Sequence, residues 1–273
     1  MPELPEVETT RRGLLPLLGQ TVSQVVIRNP SLRWPIPAHL TETLKHQPLL
    51  ELSRRGKYLL ARFESGTLLL HLGMSGRICL LARDEPPAKH DHFDLHFVDG
   101  HVLRLRDPRR FGAVLWAGRV PEEHVLLKVL GPEPLDEGFH GDWLYQQLRS
   151  KTAPIKNVIM DSHLVVGVGN IYASESLFRA GIDPRTAANK VSKKRCGKLV
   201  EEIKATLQDA LRAGGSSLRD FFGADGNPGY FQQEYFVYGR AEAPCKACGS
   251  PIQSIRLGQR STFFCRRCQR FAK

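Results

Sequence analysis

The spacing of apolar residues changes along the chain and separates a strand-rich first part from a helical second part. From Val7 to Leu18 the apolar positions follow the helical period, and the pattern predicts a helix that ends near Gly19. Beyond Gly19 the apolar residues form short runs rich in Val, Ile, Leu and Phe, which Gly, Asp and Pro interrupt. These runs predict strands at Thr21–Arg28, Tyr58–Phe63, Thr67–Leu72, Phe93–Val98, Val102–Arg106 and Ala113–Trp116.

Two turn sequences indicate how these strands pair. Glu64-Ser65-Gly66 separates two of the predicted strands, and Asp99-Gly100 separates two others. Both are typical of hairpin turns, which join neighbouring antiparallel strands. We therefore expect an antiparallel sandwich or barrel here, rather than a parallel sheet with crossover helices.

The second part of the chain follows the segment 131–134, Gly-Pro-Glu-Pro, which interrupts both the helical and the strand spacing of apolar residues. The last 33 residues, from Ala241, form a separate small module. We expect an α+β multidomain protein with domains at residues 1–130, 131–240 and 241–273. Helical spacing in the middle part predicts helices at Asp142–Arg149, Ile155–Met160, Ile171–Ala180 and Lys193–Ala213, the last one ending at Gly214-Gly215.

The net charge of +11 favours a polyanionic partner, and its distribution strengthens that expectation. The last 33 residues hold seven Lys or Arg residues and a single acid, Glu242. We therefore expect this module to contact nucleic acid. No apolar run reaches the roughly 18 residues of a membrane span, so we expect no membrane partner.

Four of the six cysteines form two close pairs, Cys245-x2-Cys248 and Cys265-x2-Cys268, with 16 residues between the pairs. This spacing is typical of a structural zinc site, in which four thiolates hold one ion and leave no position for catalysis. Two disulfides or uncoordinated thiols are the alternative. The N-terminal sequence is acidic and carries two prolines, unlike an export signal, so we expect a cytoplasmic protein and favour zinc.

A series of longer motifs runs from the first residues to the cysteine pairs. They are Pro2-Glu3-Leu4-Pro5-Glu6-Val7-Glu8-Thr9, Arg54-Arg55-Gly56-Lys57-Tyr58, His71-Leu72-Gly73-Met74-Ser75-Gly76, Lys89-His90-Asp91-His92, Asp107-Pro108-Arg109-Arg110-Phe111-Gly112, Val166-Gly167-Val168-Gly169-Asn170-Ile171-Tyr172-Ala173 and Asp225-Gly226-Asn227-Pro228-Gly229-Tyr230-Phe231. With these motifs the chain resembles the formamidopyrimidine-DNA glycosylase family. The resemblance implies an N-terminal β-sandwich, a helical domain with a helix–two-turn–helix element, and a C-terminal zinc-finger β-hairpin.

The resemblance also implies an activity. It points to base-excision repair by a glycosylase and abasic-site lyase that removes oxidised purines, such as 8-oxoguanine and formamidopyrimidines, from double-stranded DNA. Pro2, freed of Met1, is the implied nucleophile, and Glu3 is the implied proton-transfer residue. Glu6 ranks below Glu3, either orienting the N-terminal amine or supporting a helix start. An α-amine of pKa ~7.7–8.0 is neutral far more often than a lysine near neutral pH, which suits nucleophilic attack.

Lys57 and Arg260 complete the catalytic set that the resemblance implies. Lys57 corresponds to a lysine near the lesion that contacts phosphate or protonates the departing base. Arg260 corresponds to a finger arginine that acts in the second elimination. Without the resemblance, Lys57 would be interpreted as a surface charge and Arg260 as one phosphate-binding arginine among several.

The implied DNA contacts fall into two groups. Extruding a base leaves a gap in the duplex, and the side chains implied to fill it are Met74, Arg109 and Phe111. Without the resemblance, the two apolar ones would be interpreted as core residues. The implied contacts to the DNA backbone are His90, Lys151 and Asn170. Asn170 is also expected to cap the helix that follows it.

The resemblance leaves alternatives in substrate and class. The segment Gly214–Tyr230 aligns with the loop that closes over the damaged base. Within the same fold, an endonuclease VIII-type enzyme for oxidised pyrimidines is the alternative, although Arg109 and Phe111 favour the purine enzyme. A noncatalytic, zinc-containing DNA-binding protein is an alternative from another class. The sequence carries no sign of oligomerisation, and we expect a monomer.

Overall fold

The computed structural model describes residues 2–214 and 235–271, which fall into two compact units. The first unit holds the chain up to Val129. The second runs from Leu130 to Arg212 and includes the described residues from Tyr235 onward. Across the described ranges, no helix combines the length and the apolar character of a membrane span.

The first unit begins with a helix and continues as two antiparallel sheets. One sheet has the strand order β1-β6-β7-β5 and the other the order β2-β3-β4-β8. The helices are α1 (Leu4–Gly13) and α2 (Leu40–Thr43), with 3-10 turns at Leu15–Leu17 and Pro121–Glu123. The strands are β1 (Val22–Ile27), β2 (Glu51–Arg55), β3 (Tyr58–Arg62), β4 (Thr67–His71), β5 (Arg77–Leu81), β6 (Asp91–Phe97), β7 (Val102–Arg106) and β8 (Ala113–Trp116).

The two sheets share one hydrophobic core, which makes this unit a β-sandwich. Phe93, Leu95 and Phe97 of β6 enter the core at alternate positions, as the strand period of two requires. Leu68 and Leu70 of β4 reach the same core from the other sheet. The predicted antiparallel sandwich is confirmed, together with the predicted turns between β3 and β4 and between β6 and β7.

The N-terminal helix differs from its predicted bounds. It begins at Leu4, earlier than predicted, because Pro5 in the first turn needs no intrahelical donor. It ends at Gly13, also earlier than predicted, and Leu15–Leu17 forms a 3-10 turn instead. Pro16 explains this end, since it lacks the N–H that a continuing α-helix would bond to the carbonyl four residues before it.

The second unit contains a helical part and a β-hairpin. Helix α6 packs against two of the other helices, and its buried residues Leu199, Ile203 and Leu207 recur at helical spacing. The helices are α3 (Gly141–Leu148), α4 (Ile155–Ile159), α5 (Asn170–Arg179) and α6 (Lys193–Arg212), with a 3-10 turn at Ala188–Lys190. The hairpin strands are β9 (Gln253–Leu257) and β10 (Arg260–Phe264).

The hairpin module packs against helix α5. Phe178 of α5 shares an apolar cluster with Val237, Ile252 and Cys265, and its ring stacks on that of Phe236 with centroids 5.2 Å apart. The α+β fold class and the four predicted helices are thus confirmed. The domain boundaries expected at residues 130 and 240 stay a prediction.

Candidate functional site

The N-terminal residues that carry candidate chemistry are buried. Pro2 is buried, and Glu3 and Glu6 are only 2% and 0% exposed. Glu3 is the N-cap of α1, and the Oε2 atom of Glu6 accepts the Glu3 backbone N–H at 2.8 Å. This is the Glu6 half of a capping box. Glu6 therefore supports the helix start, one of the two roles expected for it, and Pro2 is held directly before a packed helix.

Lys57 lies in the tight turn between β2 and β3. Gly56, just before it, has a φ of 56°, a left-handed conformation that favours glycine. The positive charge of Lys57 acts on His71. Burial, followed by the charges of Lys57 and Arg33, lowers the pKa of His71 to about 4. His71 is therefore neutral near pH 7, and its Nδ1 atom accepts the Gly73 N–H at 3.1 Å.

A buried carboxylate joins two loops of the first unit. Asp107 is 0% exposed, and its Oδ1 atom accepts the Ser75 hydroxyl at 3.0 Å. Its Oδ2 atom accepts the Gly112 N–H at 2.7 Å. A Cβ atom added to Gly73 would lie 2.3 Å from the carbonyl carbon of Phe111, so only glycine lets the two loops approach this closely. The loops 72–76 and 107–112 therefore form one packed structure, which we call the paired loops.

The paired loops carry three of the predicted site residues. Met74 and Phe111 are 36% and 42% exposed, which argues against the alternative that they are core residues. The Arg109 guanidinium lies over the Phe111 ring, 4.7 Å from its centroid. The structure thus places these three residues on the paired loops, with their side chains exposed.

His90 is connected to the same paired loops. Its carbonyl accepts the Asp107 N–H at 3.0 Å. Two residues along the chain, the Nε2 atom of His92 lies 2.9 Å from the Asp107 carbonyl oxygen. The His90 side chain is half-buried, so it is positioned next to the paired loops but still reaches solvent.

In the second unit a buried lysine links helix α5 to the hairpin. Lys156 of α4 is 0% exposed, and its Nζ atom donates to Asn170 Oδ1 at 2.7 Å and to Thr262 Oγ1 at 2.7 Å. It also donates to the Ser261 carbonyl at 3.1 Å. A buried ammonium group needs several acceptors, and this set provides them. We missed Lys156 in the sequence, where its one signal is a lysine between the apolar residues of a short helix.

The expectation that Asn170 caps helix α5 is wrong. The N-cap is Gly169, and Asn170 is the first helical residue. Its side chain cannot cap because its oxygen accepts the Lys156 ammonium group and its Nδ2 atom donates to the Ser261 carbonyl at 3.1 Å. Asn170 is instead positioned against strand β10, whose first residue is the exposed Arg260.

Glu175 is a second buried residue that we missed in the sequence. It is 4% exposed on helix α5, and its carboxylate accepts the backbone N–H groups of Phe236, Val237 and Tyr238 at 2.8–2.9 Å. Successive N–H groups of this kind form an anion-binding concavity, which the protein fills with its own carboxylate. Glu175 therefore fixes the segment 236–238 to the same helix that begins with Asn170.

The four paired cysteines converge at the base of the hairpin. All their sulfur atoms lie within 4.8 Å of one another, with Cys245 and Cys268 3.9 Å apart and Cys248 and Cys265 3.5 Å apart. All four are thiols rather than disulfides. Sulfur atoms about 2.3 Å from a tetrahedral zinc ion lie roughly 3.8 Å apart, so the arrangement fits one zinc. The predicted cofactor, one structural zinc ion, is confirmed, and it leaves no open coordination position.

The structure groups the predicted site residues within each unit. In the first unit the paired loops collect Met74, Arg109 and Phe111, and Lys57 acts on the histidine that precedes them. In the second unit Asn170 meets the hairpin, whereas Lys151 lies separately, half-buried beyond α3. Beyond its first residue, the segment Gly214–Tyr230 lies outside the described residues, as does Met1.

Comparison with known proteins gives three family matches in chain order. The formamidopyrimidine-DNA glycosylase N-terminal domain matches residues 1–114, the formamidopyrimidine-DNA glycosylase H2TH domain matches residues 130–222, and a zinc finger found in FPG and IleRS matches residues 243–270. Together these matches cover most of the sequence.

Individual proteins match over nearly their whole length. The chain is 71% identical to a formamidopyrimidine-DNA glycosylase of Methylobacillus flagellatus, over 98% of this chain and 96% of that protein. It is 57% identical to the protein of that name from Stutzerimonas stutzeri, over 99% and 100%. The crystal structure of the MutM (Fpg) protein of Thermus thermophilus matches with a TM-score of 0.88 at 40% identity, over 98% of each chain. A Lactococcus lactis Fpg complex with N7-benzyl-Fapy-dG DNA matches with a TM-score of 0.90 at 35% identity, over 98% of this chain and 100% of that one.

Proposed function

Because this chain belongs to the formamidopyrimidine-DNA glycosylase family, we propose that it removes oxidised purines from double-stranded DNA and cleaves the resulting abasic strand. The observation that carries this proposal is the position of Pro2, buried directly before the N-cap residue Glu3 of a packed helix. The substrate class is supported by related structures that hold N7-benzyl-Fapy-dG DNA and DNA with carbocyclic 8-oxo-G.

The first chemical stage is excision of the base. Once Met1 has been removed, the secondary amine of Pro2 attacks C1′, and the bond from C1′ to the base breaks with its electrons leaving on the base. The nitrogen then loses its proton, the bond from C1′ to the ring oxygen breaks, and an iminium forms between Pro2 and C1′. Glu3 supplies the proton that the ring oxygen needs. Lys57 contacts phosphate or protonates the departing base.

The second stage is strand cleavage. The positive iminium acidifies the proton on C2′, and loss of that proton breaks the 3′ carbon–oxygen bond. A second elimination breaks the 5′ carbon–oxygen bond, and hydrolysis of the iminium by water frees the Pro2 amine. Arg260 stays protonated throughout, so its contribution is to stabilise the negative charge of the departing phosphate.

The paired loops provide the groups that replace an extruded nucleotide. A base inside a duplex is inaccessible, and extruding it costs a few kcal/mol. Met74 and Phe111 are exposed apolar side chains of the size that enters a base step, and Arg109 can donate hydrogen bonds to the orphaned partner base. His90 on the first unit, and Lys151 and Asn170 on the second, contact the DNA backbone.

The zinc ion acts through the fold of the finger and not in the reaction. A module of this size buries little apolar surface, so metal binding supplies the folding free energy it lacks. The cysteine thiolates that bind the zinc therefore hold strand β10 in place, and this strand begins with Arg260. We further propose a monomer in the bacterial cytosol that acts at the nucleoid, with domains at residues 1–130, 131–240 and 241–273.

A panel of duplexes tests the proposed function. We expect strand nicking at 8-oxoguanine and formamidopyrimidine, and little at oxidised pyrimidines. The alternative within this fold, an endonuclease VIII-type enzyme, predicts the reverse order. A noncatalytic DNA-binding protein predicts binding without a nick on any duplex.

The same panel with a blocked N-terminus tests the mechanism. A variant with residues added before Pro2 cannot form the iminium, so it should lose strand cleavage while it keeps most of its DNA affinity. Undiminished nicking by that variant would contradict the proposed nucleophile.

A further inference from the structure

A second cationic site lies in the second unit, at the end of the zinc module. A cavity of about 730 Å³ is lined by Asp183, Arg185, Gln269, Arg270, Phe271 and Arg266. Three guanidinium groups and one carboxylate therefore surround it. The proposed reaction uses none of these residues.

The backbone that frames the cavity is held by several contacts. The Arg270 N–H donates to the Gly181 carbonyl at 2.9 Å, and the Asp183 N–H donates to the Arg270 carbonyl at 3.1 Å. Gln269 connects the same two segments, since its side chain donates to the Ile182 carbonyl and accepts the Cys265 N–H, both at 2.8 Å. The loop after α5 and the end of the finger thus form one preformed frame, which a binding site needs.

The cavity carries a positive charge that its own acid does not balance. Both oxygens of Asp183 are bonded to Arg185, with distances of 2.9 Å and 2.6 Å. Arg266 and Arg270 are exposed and add two further charges. Nearby, burial and then the charge of Arg270 lower the pKa of Arg195, so Arg270 lies close enough to repel a second guanidinium group. An anion would relieve that repulsion.

An aromatic ring lies next to these charges. Phe271 is 54% exposed, so part of its aromatic ring is accessible to a ligand. The Arg185 guanidinium lies over two rings, 4.8 Å from the centroid of Phe264 and 5.8 Å from that of Phe271. Exposed aromatics beside arginines are the combination that binds a nucleic-acid base and its phosphate together.

This site is separate from the predicted DNA contacts of the same unit. Asn170 begins α5, whereas the cavity lies beyond its end at Arg179, and a helix of 10 residues spans about 15 Å. Likewise, Arg260 begins β10, whereas Arg266 follows its end. Neither Asn170 nor Arg260 therefore lines the cavity.

We propose that this cavity binds a nucleotide unit, with the phosphate on Arg266 and Arg270 and the base stacked on Phe271. A free nucleotide and a single-stranded nucleic acid share this chemistry. A strand outside the repaired duplex would give the protein a second point of attachment to nucleic acid.

Fluorescence anisotropy with a labelled single-stranded oligonucleotide tests the site. The titration is made on the whole protein, both alone and saturated with an unlabelled duplex that carries an abasic-site analogue. We expect the strand to bind the saturated protein about as tightly as the unoccupied protein. If the saturating duplex displaces it completely, the separate site does not exist.

Three variants distinguish the cavity from general positive charge. Arg266→Ala with Arg270→Ala should lower the slope of log affinity against log salt by about 0.7, since the two arginines hold one phosphate and each phosphate contact on a single strand contributes about 0.7. Phe271→Ala should weaken strand binding at least about fivefold through lost stacking. The matched control is Arg267→Ala, an exposed finger arginine that does not line the cavity and should change binding less than twofold. Equal losses in the control and the cavity variants would overturn the proposal.

Competition experiments identify the ligand class. We expect a deoxynucleoside monophosphate to displace the strand more strongly than inorganic phosphate, because only the nucleotide offers a base to Phe271. Equal competition by the two would remove the base from the proposal and overturn it. An acidic peptide that competes better than the nucleotide would also overturn it, in favour of a protein partner. These outcomes stand apart from the proposed function, because strand binding by the unoccupied protein and its variants needs no lesion chemistry.

Discussion

The Ser75 hydroxyl donates a 3.0 Å hydrogen bond to the buried carboxylate of Asp107, and this contact joins the loop of Met74 to the loop of Arg109 and Phe111. The three proposed gap-filling side chains therefore depend on one carboxylate that is itself fully buried. Preorganised support of this kind sets how well a site performs, because a displacement near 1 Å costs activity.

Replacing Asp107 should impair the paired loops. In Asp107→Ala the Gly112 N–H loses its acceptor while it stays buried, a loss worth about 1–3 kcal/mol. We expect single-turnover cleavage of an 8-oxoguanine duplex to fall by about 5- to 150-fold, and Asp107→Asn to lose less because it keeps one acceptor.

The matched control for this variant is Asp99→Ala. Asp99 also accepts a backbone N–H two residues along the chain, but it lies in an exposed hairpin turn. Thermal denaturation of both variants shows whether a loss of activity comes from a displaced loop or from unfolding of the first unit. Cleavage by Asp107→Ala at the rate of the Asp99 control, with both proteins folded, would contradict the role of the paired loops.

Lys156 should control the position of two predicted DNA contacts at once. Lys156→Met keeps the length of the side chain but removes its three donors to Asn170, Ser261 and Thr262. We expect at least about tenfold weaker duplex binding, because both α5 and the hairpin lose a shared anchor whose charge-assisted bonds contribute about 1.5–3 kcal/mol each.

Lys204→Met is the control for that measurement. The Lys204 ammonium group donates a single 2.8 Å bond to the Asp136 carbonyl, so it carries the same charge without linking the hairpin. If the two methionine variants bind duplex DNA equally well, Lys156 does not organise the contact surface.

Removal of zinc should unfold the finger without selectively slowing proton transfer. Cys248→Ser or chelation breaks a site whose metal binding contributes ~10–16 kcal/mol. We expect one zinc ion per chain in the parent protein by atomic absorption, and loss of duplex affinity together with the metal. Cys79→Ser is the control, since Cys79 lies on β5 and is not one of the four clustered cysteines, so this variant should keep the zinc. Normal DNA affinity in metal-free protein would count against this account.

The stability of the first unit should depend on pH through His71. Its ordinary pKa is 6.5, and burial with the charges of Lys57 and Arg33 lowers that pKa to about 4 in the folded protein. Between these values the unfolded chain binds a proton that the folded protein does not. The contribution of His71 is therefore complete above pH 6.5 and is lost as the pH falls toward about 4.

Urea unfolding across that pH range measures the effect. The His71→Gln variant should lack a part of the slope that reaches at most about 1.4 kcal/mol per pH unit in the parent protein. His39→Gln, which replaces an exposed histidine, should keep the parental slope. Identical slopes in the parent and His71→Gln would show that the folded protein does not hold this histidine neutral.

The sequence pattern predicts the fold where one side of a strand or helix is strongly apolar. Strand β6 and helix α6 are examples, since the apolar residues of β6 recur at the strand period and the buried residues of α6 at the helix period. Strand β2 is not predicted in this way because only Leu52 of its five residues is buried. Its position depends on pairing with β3, which is a long-range property that local spacing does not contain.

The candidate site likewise contains residues that the sequence predicts and residues that it does not. The cysteine pairs indicate their chemistry through spacing, and the N-terminal and DNA-contact residues came from the family resemblance rather than from the pattern. Asp107, Lys156 and Glu175 are different, because a single charged residue in a motif or helix does not reveal that it will be buried. Their partners lie on other segments of the chain, so only the folded structure identifies them.

Borohydride trapping tests the central claim, that the nitrogen of Pro2 bonds to the damaged sugar. The parent protein, incubated with an 8-oxoguanine duplex and sodium borohydride, should give one covalent adduct that peptide mass spectrometry places on Pro2 of a chain without Met1. The adduct should be lost in Pro2→Gly. An adduct on a lysine side chain, or full trapping by protein that keeps its initiator methionine, would contradict the account.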